Sequence, residues 1–470
     1  MQFNYITFRS KCAASTLLLV LSSLLTPWAL GQTGIPRPER SSQQIARADS
    51  TAIQSVADLL PDTVRIHRVD PRFPVSALPV ADSALDLAYV RYDPVRAFSP
   101  DFVYLNSIAL PAALHPVLGT PYTRKRLLTQ QLHPTYQSQP APFFTQNVPY
   151  TYTAYDQGGE INDGQVRVLL GRSFVNGWRL GAAYHRIYQG AERNRYPQSR
   201  AQRISFGITL AHVADSSHHR SYAWLDLNNY SYNNSGGYTF QLEEPAQEIE
   251  EPFEATSLNR NLRTDGKFSS YQVLHRYFLR EQRDSIARGW AGSAQLSYHQ
   301  QSHLTSASTV GATLDTSQLA PYLIDDRGLR FQLEQRTALA EVQLGFFAHA
   351  SDSSQLAFSF EAGAYGGRQN FRSGYLTDDS EELLIGLSGD IDGTVLRSFK
   401  LAADADLALG SRAGEGRLQG SLSWYYRNLI SVRVGALLER SRAPFAAELV
   451  GINDELLFNR DLPISTHTRL

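Results

Sequence analysis

Gln165-Val166-Arg167-Val168-Leu169-Leu170-Gly171, then Val175-Asn176-Gly177, then Trp178-Arg179-Leu180-Gly181-Ala182-Ala183-Tyr184-His185, is the stretch that decides how this chain folds. Val166, Val168 and Leu170 fall on one side of an extended backbone, and Gln165, Arg167 and Gly171 on the other. Beyond the turn, Trp178, Leu180, Ala182 and Tyr184 share a face opposite Arg179, Gly181, Ala183 and His185. A period of two with one greasy and one wet face is the pattern of a β-strand, whose successive side chains point to opposite sides. The Asn-Gly pair supplies the positive φ that a tight hairpin needs.

The same alternation recurs from about Val148 to Leu438. Ile204, Phe206, Ile208 and Leu210 alternate with Arg203, Ser205, Gly207 and Thr209; Ala223, Leu225 and Leu227 alternate with Trp224, Asp226 and Asn228. Strand-like pieces return at Tyr271 to Leu279, Trp290 to Gln301, Leu329 to Ala350 and Leu356 to Tyr365. In Val395 to Leu409, Phe399, Leu401, Ala403, Ala405, Leu407 and Leu409 face one way, and Lys400, Asp404 and Asp406 the other. Two carboxylates and an amine at regular inward positions are costly in a dry core and ordinary in a watery lumen. Ser421 to Leu438 reads either as one very long strand or as a hairpin bent near Asn428. Long polar loops are expected at about Asn233 to Lys267 and His303 to Asp326, alternating with short turns such as Asp215-Ser216-Ser217-His218. Short turns on one side and long loops on the other, with strands longer than the ~5–6 residues of globular sheets, point to a transmembrane β-barrel. The expected fold class is all-β: an antiparallel transmembrane β-barrel of about 12–14 visible strands, or 14–16 if the chain is C-terminally truncated.

The ends set the compartment. Arg9 and Lys11, the apolar run Ala13 to Leu25 and the small-residue site Ala29-Leu30-Gly31 make residues 1–31 a secretory signal peptide. The apolar run is shorter than the ~20 residues that span a bilayer. Residues 32–81 are polar and interrupted by Pro36, Pro38, Pro61, Pro71, Pro74 and Pro79, as in a periplasmic extension. Residues 82–146 are again proline-rich and are expected to form an irregular plug-like or threading segment, since proline removes a ladder donor. Residues 147–470 are then the barrel. The single cysteine, Cys12, lies inside the signal, so the exported chain has no disulfide and no thiolate ligand. Lys and Arg number 44 against 45 Asp and Glu, a balance that argues against nucleic acid as a partner.

Asp82-Ser83-Ala84-Leu85-Asp86-Leu87-Ala88-Tyr89-Val90-Arg91-Tyr92-Asp93-Pro94 resembles a motif of the Bacteroidota-type outer-membrane porin family, an Asp-Ser/Thr followed by an aromatic-rich piece ending in Tyr-Asp-Pro. Tyr104-Leu105-Asn106 to Pro111 is similar to that family's Leu-Gly-Asn-x-Gly segment, without its two glycines. The hairpin spacing from Pro149 onward, with Asn233-Asn234-Ser235-Gly236-Gly237 opening a loop, extends the resemblance over most of the exported chain. It implies an outer-membrane barrel and passive transport, and carries no catalytic residue. Outer-membrane barrels of this kind usually end in an apolar strand with a terminal aromatic. This chain ends Ile464-Ser465-Thr466-His467-Thr468-Arg469-Leu470, so a C-terminally incomplete barrel is expected.

Candidate lumen-facing residues are Arg167, Arg179, His185, Arg203, Asp226, Arg276, Lys400, Asp404 and Asp406. With Arg330 and Arg336 the arginines would form a cationic wall favouring anions; the plainer alternative pairs each with a carboxylate such as Asp226, Glu341 or Asp404. Glu243, Glu244, Glu248, Glu250, Glu251 and Glu254 read more simply as a solvated loop than as an ion site. Asp390-Ile391-Asp392-Gly393 lacks the other ligand positions of a calcium loop and reads as a hairpin turn or kink. His218-His219 reads as a polar turn before a metal site. No Gly-x-Ser-x-Gly, His-Glu-x-x-His or phosphate loop occurs.

The expected function is passive diffusion of small solutes through a porin-like outer-membrane barrel, without covalent chemistry, cofactor or metal. The expected partners are outer-membrane lipids, small solutes, the barrel-insertion machinery and, as in many porins, further copies of the chain. The alternatives are a structural or secretion-linked barrel without an open pore, a barrel-wall hydrolase, and a soluble periplasmic β-sandwich.

Overall fold

A computed structural model describes most of residues 149–469, except for several connections between strands, together with 66–69, 77–79, 102–104, 112–114 and 143–144. The signal peptide, the acidic loop cluster and most of 32–146 lie outside the described residues. Two units partition the chain, residues 1–62 and 63–470, and all that follows concerns the second.

Five short strands come first: β1 (Ile66–Val69), β2 (Ala77–Pro79), β3 (Phe102–Tyr104), β4 (Ala112–Leu114) and β5 (Phe143–Phe144). They form a three-stranded sheet of order β2-β1-β5 and a β3–β4 pair. The main sheet begins with β6 (Tyr150–Gln157), β7 (Gly164–Ser173), β8 (Trp178–Gln189), β9 (Ala201–Val213) and β10 (His219–Asn234). Within the next connection β11 (Tyr238–Thr239) pairs with β12 (Thr256–Ser257). The sheet continues through β13 (Leu262–Arg283), β14 (Ile286–Ala307), β15 (Leu329–Ala350), β16 (Ala357–Ser373), β17 (Ser380–Thr394), β18 (Phe399–Gly410), β19 (Gly416–Tyr426) and β20 (Ile430–Ser441). A hairpin of β21 (Leu449–Ile452) and β22 (Glu455–Asn459) precedes the last strand, β23 (Ser465–Arg469).

Fourteen of these strands make one antiparallel sheet in which each pairs with its neighbour in the chain, from β6 at one edge to β23 at the other. The all-β fold class and the strand number are those expected from the alternation. No ladder joins β6 to β23 among the described residues. The connections sort by end. Residues 174–177, 214–218, 284–285, 351–356, 395–398 and 427–429 lie at one end and are all short; 190–200, 235–261, 308–328 and 442–464 lie at the other, together with the shorter 158–163, 374–379 and 411–415.

The turn at Gly177 has the expected geometry, with φ 78° and Gly177 N–H donating to Phe174 O at 3.2 Å. Several boundaries differ from the sequence expectation. Strands β13 and β14 are 22 residues each and run well into both expected long loops, because polar residues occupy both faces there: Arg263, Asp265, Lys267, Ser302 and Ser306 on one, Thr264, His303 and Thr305 on the other. Ser421 to Leu438 is a hairpin, broken between Tyr426 and Ile430. Strand β17 was not foreseen, and Asp390-Ile391-Asp392-Gly393 lies inside it rather than at a turn. There Asp390 and Asp392 share a face with Ser388 while Ile391 points the other way, so the run is simply alternating.

The sheet is two-faced. On one face, exposed Tyr271, Val273, Tyr277 and Leu279 of β13 continue into Trp290, Leu296 and Tyr298 of β14 and Val342 and Leu344 of β15. Leu296 is 64% and Val342 63% exposed, far more than apolar side chains retain in a core. This band is bounded. At one rim the rings of Tyr271 and Tyr298 pair across strands at 6.2 Å, and at the other those of Trp290 and Phe346 at 5.5 Å. Between Trp290 and Tyr298 the strand climbs roughly 27 Å at ~3.4 Å per residue. Beyond the Tyr271–Tyr298 rim, the same face turns polar: Ser269, Lys267, Asp265 and Arg263 on β13, Gln300 and Ser302 on β14, Arg336 and Glu334 on β15.

The opposite face is concave. Arg276 on β13 and Glu361 on β16 form an ion pair of 2.7 Å over the two strands between them. In a flat sheet those strands would stand about 14 Å apart. The pair closes because the sheet curls toward this face.

Candidate functional site

Ladder registers place all nine candidate residues on the concave face: Arg167, Arg179, His185, Arg203, Asp226, Arg276, Lys400, Asp404 and Asp406. Arg330 and Arg336 are the corrections. They lie on the other face, beyond the apolar band, because β15 alternates with Leu333, Gln335 and Thr337 pointing to the concave side.

The nine do not form one cluster. On β7 and β8, Arg167 Nη2 donates to Gln165 Oε1 at 3.0 Å, and His185 Nε2 lies 3.2 Å from the same oxygen. Gln165 is fully buried and holds the two side chains in place. On β10, Asp226 and Asn228 are buried, and Ser205 Oγ donates to Asn228 Oδ1 at 3.2 Å. A separate acidic strip runs along β17 and β18, with Asp390 directly opposite Asp404. Its cations are Lys400, 3.4 Å from Asp392, and Arg417, 3.6 Å from Asp404. Arg417 also donates to Gln419. The arginines therefore concentrate on β7–β9 and the aspartates on β17–β18, many strands away in the same wall. Of the counterions anticipated for the arginines, Asp404 faces Arg417, whereas Arg276 pairs with Glu361.

Two tyrosines span strands. The Tyr365 ring of β16 lies over Gly386 of β17, where a Cβ would overlap it, and its hydroxyl donates to Asp406 Oδ1 on β18 at 3.1 Å. Tyr230 of β10 likewise crosses Gly266 of β13 to His303 Nδ1 on β14, at 2.9 Å. His303 Nε2 lies 3.3 Å from Thr305 Oγ1, so the ring bridges two hydroxyls, each of which can donate or accept. This chain lies five ladder positions beyond the Tyr271–Tyr298 rim, outside the apolar band. Burial lowers the His303 pKa from 6.5 to about 4.

Parts of the concave face are covered or apolar. Strand β5 touches β7, β8 and β9 without joining their ladders. Their concave residues Gln165, Ile187 and Thr209 are buried, while Leu170 and Phe206 on the other face are exposed, so β5 lies on the concave side. Strand β21 touches β15 and β16. There too the concave residues Leu333, Gln335, Thr337, Gln369 and Phe371 are buried, whereas Arg336 and Arg368 behind them are exposed. The loop that carries β21 starts at Arg442, 3.6 Å from the fully buried Glu415, which also takes two bonds from Arg412 at 3.0 and 2.8 Å. Toward the short-turn end, Phe278 and Phe347 pack edge to face at 5.9 Å beside Ala291, and Tyr222, Trp224, Leu274 and Ala211 make a second apolar cluster.

Sequence reasoning missed Glu361, Tyr365, Gln369 and Arg417. Glu361 and Tyr365 lie within the expected strand and alternate with its apolar residues, and carrying the same period past Tyr365 reaches Gln369. His218 and His219 sit where β10 begins; His219 Nδ1 lies 3.3 Å from His275 Nε2. No group of three or more metal-ligating side chains occurs among the described residues.

No protein-family model matches the chain, and no curated protein matches it. Similar solved structures include the ferric yersiniabactin uptake receptor of Yersinia pestis, at 9% identity and TM-score 0.35, covering 67% of this chain and 48% of that one. A siderophore receptor of Acinetobacter baumannii matches at 8% identity and TM-score 0.34, covering 64% of this chain and 58% of that one. The chain thus spans about half to three fifths of the receptors it resembles.

Proposed function

We propose that the fourteen-stranded sheet is the wall of an outer-membrane β-barrel, with the apolar band in the hydrocarbon of the bilayer and the concave face toward an aqueous interior. The observation that carries this is the pairing of opposite surfaces on the same strands. Leu296 and Val342 are open to the surroundings on one side, while arginines, aspartates and glutamines line the other. In water such a band would drive association; in lipid it is what a spanning strand requires. The long connections then face the cell exterior and the short turns the periplasm.

On this reading the chain passes small solutes passively. Arginines on one part of the wall and aspartates on another would orient dipolar solutes, with selectivity set by those side chains and by the inward hairpin. The mechanism needs no covalent step. A barrel closed to solutes, with a structural or secretion-linked role, is the second reading. The cover that β5 and β21 provide over the concave face favours it.

Single-channel conductance of the detergent-purified protein in a planar bilayer, run beside a heat-modifiability gel, tests both. Stepwise conductance from a heat-modifiable band supports the channel. A heat-modifiable band that never conducts supports the closed barrel. A chain with neither behaviour is not a membrane barrel.

A further inference from the structure

Immediately past the Tyr271–Tyr298 rim, the convex face becomes basic. Lys267 on β13, Arg336 on β15, and Arg368 and Arg372 on β16 are all exposed there. Arg186 on β8 joins them, its guanidinium 5.9 Å from the centre of the Tyr188 ring. The carboxylates on this part of the face are fewer, and Asp265 beside Lys267 is held by Arg263 at 2.8 Å. Glu334 lies 2.8 Å from Arg336 and directly opposite Arg372, and Glu381 lies 3.1 Å from Arg368. The chain as a whole carries a formal net charge of −1, so this excess is local.

We infer that this rim docks the phosphate groups of anionic lipid headgroups in the leaflet at the long-loop end; the inference rests on the membrane reading above. Three points carry it. First, position: the cations begin where the apolar side chains stop, which is the depth of a headgroup. At the opposite rim rings predominate, with Trp290 against Phe346, Trp178 against His212 at 4.8 Å, and Phe174, over which Arg172 lies at 5.4 Å. Second, availability: Arg368 is 74% and Arg336 47% exposed, and exposed ion pairs hold their partners weakly, so a phosphate can compete with Glu381 and Glu334. Third, chemistry: a guanidinium fork matches two phosphate oxygens, and Arg336, Arg368 and Arg372 stand on two adjacent strands, close enough to share one doubly phosphorylated headgroup.

The test uses the full chain in neutral phosphatidylcholine vesicles containing either a diphosphorylated lipid-A-type glycolipid or the same glycolipid with its phosphates removed. After detergent extraction, native mass spectrometry counts the glycolipid retained. The expected result is retention of the phosphorylated form only, with at least about tenfold less retention by the R336Q/R368Q/R372Q variant, as loss of charge-assisted contacts implies. Retention by the unmodified protein should also fall as salt is raised. This salt series stands even if the triple variant fails to fold. Equal retention of both glycolipids, or retention indifferent to salt, overturns the inference while a heat-modifiable band leaves the membrane reading intact. Absence of that band in either vesicle overturns both.

Discussion

Tyr365 reaches Asp406 by lying across Gly386: its hydroxyl donates to Asp406 Oδ1 at 3.1 Å, and the ring occupies the space a Cβ at position 386 would need. Three consecutive strands are thereby fastened on the concave side by one side chain and one missing side chain. Tyr230, Gly266 and His303 repeat the device on β10, β13 and β14. In both cases the glycine matters for the room it leaves, and the ring covers backbone that a bare strand would expose.

Substituting Gly386 by leucine should therefore eject the Tyr365 ring and cost about 1–3 kcal/mol. Gly420, beside which a Cβ meets nothing within 4 Å, is the control, and Gly420→Ala should stay within about 0.5 kcal/mol. Urea unfolding followed by heat-modifiability measures both. Equal loss in the two variants would refute the crossing.

Arg276 and Glu361 are 2% and 10% exposed in their side chains, and the pair bridges the curl of the sheet. Removing one partner strands the other charge. Arg276→Met should destabilise by about 3–5 kcal/mol, and adding Glu361→Leu should return most of that. A double-mutant cycle with no coupling would mean that the two charges are each solvated independently.

Deleting the β21–β22 hairpin, with a short glycine-serine bridge in its place, should raise single-channel conductance without abolishing the heat-modifiable band. The basis is the contact of β21 with β15 and β16 over buried Gln335, Thr337 and Gln369. Unchanged conductance would place the flow elsewhere in the barrel.

His303 gives a pH dependence with a definite sign. Its folded pKa of about 4 lies below the unfolded 6.5, so the unfolded chain binds the extra proton first. The stability it contributes is complete above about pH 6.5 and is lost as pH falls toward 4. The unmodified protein should lose more stability between pH 7 and pH 5 than His303→Asn does. The same slope in both proteins would show that another group governs the acid response.

Much of the wall was legible in the sequence, and the reason is local. On β7, β8, β9 and β18 each residue chooses one of two faces, and apolar and polar types largely separate, so seven of the nine candidates fell on the concave side together, with Asp226 on β10 and Arg276 on β13 beside them. β17 escaped because Leu384 is buried on the concave face next to exposed Leu383 and Ile385, which turns alternation into an apolar run. Arg330 and Arg336 were misplaced because polar residues occupy both faces of a strand once it leaves the band. The ion pair of Arg276 with Glu361 joins positions 85 residues apart through curvature, which no periodicity encodes. The Tyr365 crossing depends likewise on register between strands.

The order of strands in the sheet is also their order in the chain, and this has a consequence for assembly. Every ladder from β6 to β20 closes a connection to the adjacent hairpin partner, so no segment has to search past finished structure to find its place. Lengthening one of these connections adds only slowly to the entropy of closing it, ~0.6 kcal/mol per doubling. The wall can therefore grow as a zipper, one hairpin at a time, with the newest strand serving as template for the next. A slip of one residue in any hairpin would turn every side chain of that strand to the wrong face. Register is thus a local condition of this wall, set hairpin by hairpin by the face each side chain must take.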